Sequence, residues 1–190
     1  MTKQELEAEA NRLITGAKYA LELQNEFNPA FLLHHPGQGW ERLSVPKGSE
    51  YLMNIGAAKR EIYGFVRRMV QEHGCDGVIF GSDTWQAKLT PEGLKQGKEF
   101  YRHVDSGYAK VVEMGWAVRE EAITVTAQNL NDALIITQPY RRLSSGIQLL
   151  AGERHWIAQS AFSGRQKMFG DLREENLGEP ETSHGRPDPV

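Results

Sequence analysis

The sequence predicts an α+β domain: two helices packed on one face of a mostly antiparallel sheet of five to seven strands. Three observations carry that expectation. Two segments, around residues 2–27 and 49–72, repeat apolar residues at helical spacing. Residues 122–127, Ala-Ile-Thr-Val-Thr-Ala, alternate in the two-residue period of a half-buried strand. Short apolar runs bounded by Gly, Pro, Asn and Asp fill much of the remainder. The domain is expected over residues 1–170, with a disordered acidic tail over 171–190.

The first helix opens on Thr2 and Glu5, which have capping-box spacing. Leu6, Ala10, Leu13, Ile14, Ala17 and Leu21 fall on one stripe, and Asn28-Pro29 ends the helix. Ala30 to His35 and Trp40 to Val45 read as a hairpin around the Pro36–Gly39 turn. Ser49 caps a second helix whose stripe is Ile55, Ala58, Ile62, Phe65, Val66 and Met69, closed at His73-Gly74. Val78 to Gly81 follows as a buried strand running into Ser82–Ala87. Residues 88–118 hold Gly93, Gly97, Gly107 and Gly115, so an excursion with one or two short helical turns is expected, one of them near Ala109–Met114. The strand at Ala122–Ala127 turns at Asn129–Asp132 and returns over Ala133–Thr137. Ile147–Ala151 and His155–Gln159 complete the sheet.

Composition narrows the function classes. Apolar residues are 39% and charged residues 25% of the 190, with mean hydropathy −0.53. That is one core plus a polar segment. The final twenty residues supply the segment: six acids, two arginines and three prolines. The lone cysteine, Cys75, excludes an internal disulfide. Residues Met1–Leu6 are polar and no apolar run would span a bilayer, so no membrane association and a cytoplasmic location are expected. No Gly-x-x-x-x-Gly-Lys-Ser/Thr, Gly-x-Gly-x-x-Gly or Gly-x-Ser-x-Gly occurs, so no cofactor is expected.

Several side-chain groups invite a chemical reading. His34-His35 sits on a strand, where neighbours point to opposite faces, so a shared metal is not expected. Cys75 follows a helix C-terminus, whose dipole disfavours a thiolate, and reads as a core residue. His103-Val104-Asp105 and Glu120-Glu121 have acid–base residue types but no nucleophile tied to them by a motif. Arg141, Arg142, Arg154, Arg165 and Lys167 interleave with Tyr140, Trp156 and Phe162 and are the candidates for nucleic-acid contact. Against a committed nucleic-acid binder stands the sequence pI of about 6.1.

Ser82-Asp83-Thr84-Trp85 followed by Arg119-Glu120-Glu121 resembles a pattern in small uncharacterised bacterial and phage-type α+β proteins. Those proteins have a Ser-Glu-Ala-Trp-like strand motif and an acidic entrance to a strand pair; here Asp83 replaces the glutamate. The resemblance covers residues 5–160 and implies a fold without a reaction. It places Asp83 and Arg119 at one sheet end as an ion pair, and makes Asp83, Trp85, Arg119 and Glu121 candidates for a partner site. The expected function is a non-enzymatic binding or accessory module that engages a protein partner through the sheet edge or the 88–118 excursion. The alternatives are a small hydrolase using Asp83, Glu121 and a histidine, or nucleic-acid contact through the basic cluster.

Overall fold

A computed structural model describes residues 1–43, 56–97, 99 and 108–158. Its elements in chain order are α1 (Lys3–Gln24), β1 (Ala30–His35), β2 (Gly39–Leu43), α2 (Gly56–Glu72), β3 (Gly77–Leu89), α3 (Pro91–Lys95), α4 (Tyr108–Glu113), β4 (Ala117–Asn129), β5 (Asp132–Leu143), β6 (Gly146–Leu149) and β7 (Glu153–Ala158). The fold is α+β, and every strand pair is antiparallel. The strand order is β2-β1-β3-β4-β5-β6, with β7 also on β5. The expected tail at 171–190 and the motif His103–Asp105 lie outside the described residues.

The capping box at Thr2 and Glu5 forms as its spacing predicts, and Asn25 closes α1 in the left-handed conformation at φ 62°. Leu6, Ala10, Ile14, Ala17 and Leu21 are the buried stripe. They pack on Ile79, Ile123, Val125, Ala127, Leu134 and Ile136. Leu13 presses onto Gly81, where an added Cβ would lie 2.6 Å from a Leu13 methyl. That glycine lets α1 approach β3 closely.

Val66 and Val70 of α2 share a different cluster, with Phe31, Leu33, Val78 and Phe80. Those strand residues alternate with Ala30 and Ile79, so they point to the other side of the sheet. The expectation of both helices on one face is therefore corrected: Val66 and Val70 of α2 pack on the face opposite the α1 stripe. Periodicity identifies a stripe but carries no information about which face receives it.

The central β3–β4 ladder is far longer than its neighbours. It runs in register from Gly77↔Asn129 to Leu89↔Ala117. On one side β1 ends at Ala30↔Gly81, immediately after Pro29. On the other, β5 leaves β4 at Pro139↔Ala122 and continues with β6 from Tyr140↔Leu149. Both departures coincide with a proline, Pro29 just before β1 and Pro139 within β5. Ser82–Leu89 and Ala117–Glu121 thus project as a two-stranded arm, roughly 25 Å long at the rise of an extended strand. The sequence reading began the second of these strands at Ala122, five residues late, and started the excursion at residue 88 rather than after the arm.

The arm carries its own small core. Val111 and Ala117 are buried against Ala87, Val112 and Trp116. Thr90 caps α3 by accepting from the Gly93 N–H at 3.1 Å, and its own N–H donates to the Trp116 carbonyl at 3.0 Å. Gly93 lies so near that carbonyl that a Cβ would stand 1.9 Å from the oxygen. This position admits no side chain without a backbone shift.

The stripe of α1 yields a direct test. Leu6 is fully buried and Leu23 is 82% exposed on the same helix. Leu6→Ala should cost about 2–4 kcal/mol in urea unfolding, and Leu23→Ala under about 0.5 kcal/mol.

Candidate functional site

Alternation along β3, β4 and β5 brings all four partner-site candidates to one face. Asp83 and Trp85 follow Ile79 and Gly81 at two-residue steps, and Trp85 stands opposite Glu121 and Ala87 opposite Arg119 in register. This is the face that α1 covers further down the sheet. Beyond the helix end the apolar residues give way to a polar network.

Arg142 organises that network. Its Nε donates to both oxygens of Glu121 at 3.2 Å. Its Nη2 donates to the Tyr140 hydroxyl at 3.1 Å and lies 3.9 Å from the Asp83 carboxylate. Its Nη1 donates to the Asn25 carbonyl at 3.3 Å and to the Asn25 side-chain oxygen. The Tyr140 hydroxyl in turn donates to Asp83 at 2.8 Å. One guanidinium fork therefore links β3, β4 and β5 to the α1 C-terminus, where a cation also suits the helix dipole.

Asp83 and Arg119 share the sheet end as expected but do not pair. Arg142 fills the place beside Asp83, and Arg119 stacks on Trp85 with its guanidinium carbon 5.0 Å from the ring centre. Burial pushes the Asp83 carboxyl above its ordinary range, and the charge of Glu121 adds to this; the Tyr140 hydrogen bond and Arg142 oppose it. Burial also raises the Tyr140 phenol, helped by the Asp83 hydrogen bond. Tyr140 is only 2% exposed. This central member of the network was singled out in the sequence only as an aromatic beside arginines.

Glu120 points to the opposite face from Glu121. Gln86 donates to it at 3.1 Å and the Lys88 ammonium lies 3.6 Å away. These three line a cleft of about 230 Å³ with Thr137, Pro139 and Glu153. The two adjacent carboxylates thus form no acid–base couple. Asp83 and Glu121 converge, and Arg142 bridges them.

A second cluster lies at the other end of β3. Asp76 accepts from the Met1 ammonium at 2.7 Å and bonds the His34 ring. Burial pushes Asp76 up, but those two partners outweigh it and hold the carboxyl below its ordinary range. His35, on the other side of β1, bonds Glu41 at 2.9 Å and lies near the Cys75 sulfur. The order Cys75, His35, Glu41 has the composition of a thiol triad. Sγ stands 3.6 Å from Nδ1 and 3.9 Å from Nε2. Burial, then Asp76 and Glu41, push the thiol up. A nucleophile needs the reverse. Among the described residues no group of three or more His, Cys, Asp or Glu is placed to hold a metal ion.

The nucleic-acid candidates are dispersed. Arg142 is engaged as above, and Arg154 meets Glu7 at 3.8 Å and Asn11 at 3.3 Å on α1. Arg141 alternates to the side of β5 opposite Arg142, across from Gln148. Arg165 and Lys167 lie outside the described residues. No helix among the described residues is long and apolar enough to cross a membrane. No family model, curated protein or solved structure matches the chain.

The two aspartates predict opposite pH signatures. Asp76 has a lowered folded-state pKa, so its stabilising share is present above the unfolded value near 3.8 and is lost as pH falls through the folded value. Asp83 has a raised one, so the folded state takes up its proton first and gains stability as pH falls through that value toward 3.8. Urea unfolding across pH 3–6 should show wild type losing its advantage over Asp76→Asn on acidification and gaining on Asp83→Asn. Tyr140→Phe should cost about 1–2 kcal/mol at neutral pH, because Asp83 keeps its burial and loses a donor.

Proposed function

We propose that this protein is a non-enzymatic binding module that engages a protein partner through the β3–β4 arm. The observation that carries the reading is the arm's exposed apolar surface beside a strand edge that no described strand occupies. Trp85, Leu89, Leu94, Met114 and Val118 are 37% to 66% exposed, and all five lie on the arm or the α3–α4 tip. No strand among the described residues pairs with β3 beyond Gly81 on its β1 side. Apolar patches and open strand edges of this kind are costly in water unless a partner covers them. Asp83, Trp85, Arg119 and Glu121 are the partner-facing group. A cytoplasmic location and kinship with the small phage-type proteins belong to the same proposal and add no reaction to it.

The hydrolase reading is weaker. Asp83 and Glu121 are bridged by Arg142, and the described histidines His34, His35, His73 and His155 have their contacts on other elements. Nucleic-acid contact through the cluster is also weaker, since Arg142 and Arg154 already face carboxylates.

Photo-crosslinking tests the arm directly. A benzoylphenylalanine at Leu89, on the Trp85 face, should yield a discrete partner adduct in cells, whereas one at Tyr19 on α1 should not. Trp85→Ala should then weaken binding of the purified partner by about 2 kcal/mol, as for a central aromatic anchor. Equal adduct yields from the two positions would contradict the reading.

A further inference from the structure

The charges at the root of the arm do not balance. Two carboxylates, Asp83 and Glu121, face one guanidinium, Arg142. Arg142 commits its donors elsewhere than Asp83: Nε to Glu121 at 3.2 Å, Nη2 to the Tyr140 hydroxyl at 3.1 Å, and Nη1 to Asn25. Its Nη2 stands 3.9 Å from the Asp83 carboxylate, beyond hydrogen-bond reach. Asp83 instead accepts from the Tyr140 hydroxyl at 2.8 Å and from the backbone at Thr84, and both donors are uncharged.

The surroundings of Asp83 supply no second cation. Among the described residues β4 brings Glu121 to this network, β5 brings Tyr140 and Arg142, and the α1 C-terminus brings the neutral Asn25. The cluster therefore holds one negative charge more than it pairs. Asp83 is the less exposed of the two carboxylates, at 27% against 40%. An unpaired charge in a partly buried position favours the neutral form. Burial first, and then the charge of Glu121, raise the proton affinity of Asp83 over the opposing Tyr140 bond and Arg142.

We propose that the arm root is a proton-driven clasp: one proton taken from water by Asp83 leaves Arg142 and Glu121 as a balanced pair and fastens the β3–β4 arm to the α1 C-terminus. Opening the root returns Asp83 to water, where its charged form is favoured. The closed root thus binds the proton more tightly than the open one, and closure gains as pH falls through the closed-state value toward 3.8. The clasp goes beyond the partner reading and holds whatever the arm binds.

The test follows the full chain by NMR between about pH 7 and 5, where Asp76 keeps its charge. The Asp83 carboxyl carbon should titrate above the ordinary aspartate range, and Glu121→Gln should move that midpoint down. Protection of the paired amides at residues 82–85 and 120–123, taken relative to Gly77–Gly81 in the same molecule, should rise about threefold on acidification. Asp83→Asn, with a neutral amide in place of the acid, should show the acid value at both ends of the range. A wild-type ratio that stays flat or falls, or an equal rise in Asp83→Asn, would overturn the clasp. Should Asp83→Asn fail to fold, Glu121→Gln decides alone. There an undiminished rise, or an Asp83 midpoint that does not move, would overturn it.

Discussion

The β3–β4 ladder is the constraint on which the rest of this structure depends, and two prolines mark where its neighbours leave it. The β3–β4 ladder would be an ordinary central pair if its neighbours followed it to the end. They stop where Pro29 precedes Ala30 and where Pro139 faces Ala122. At Pro139 the ring nitrogen and carbonyl face β6, where the carbonyl accepts from the Leu150 N–H at 2.9 Å. Below that line the sheet is covered by α1 on one face and carries the Phe31–Phe80 cluster on the other. Above it, among the described residues, β3 and β4 pair only with each other.

A lone ribbon is marginal in water, so the arm needs support at both ends. At the tip, Val111 and Ala117 bury against Trp116, and Gly93 permits the close approach that holds α3 in place. At the root, Arg142 ties Asp83, Glu121 and the Asn25 cap together. The Thr84 hydroxyl adds a cross-strand link to Thr124 at 2.8 Å. The root network joins arm to body, and it spends the charge of Arg142 on structure. Arg119, stacked on Trp85, has no acid partner among the described residues.

The sequence made the local elements legible where a physical signal was local. The capping box, the α1 stripe, the Asn129 turn and the left-handed Gly74 each rest on residues within one or two turns of each other. The strand at Ala122–Ala127 was visible because one face is buried. Its extension over Ala117–Glu121 was not, because an exposed ribbon has no reason to alternate. Asp83, Trp85, Arg119 and Glu121 were legible as neighbours from the motif alone. The partner of Asp83 was not, since Arg142 arrives from a strand 59 positions later and only register places it there. The opposite faces of the two helices depend on long-range packing that no periodicity encodes.

Amide hydrogen exchange, read residue by residue on the isolated chain, tests the arm most directly. Amides of Gly77–Gly81, paired on both edges, should be uniformly protected. Across Ser82–Leu89, paired with β4 alone, protection should alternate, with the outward amides exchanging close to the rate of an open chain. Uniform protection along all of β3 would mean that a further strand covers the edge, and the account of an exposed arm would be wrong.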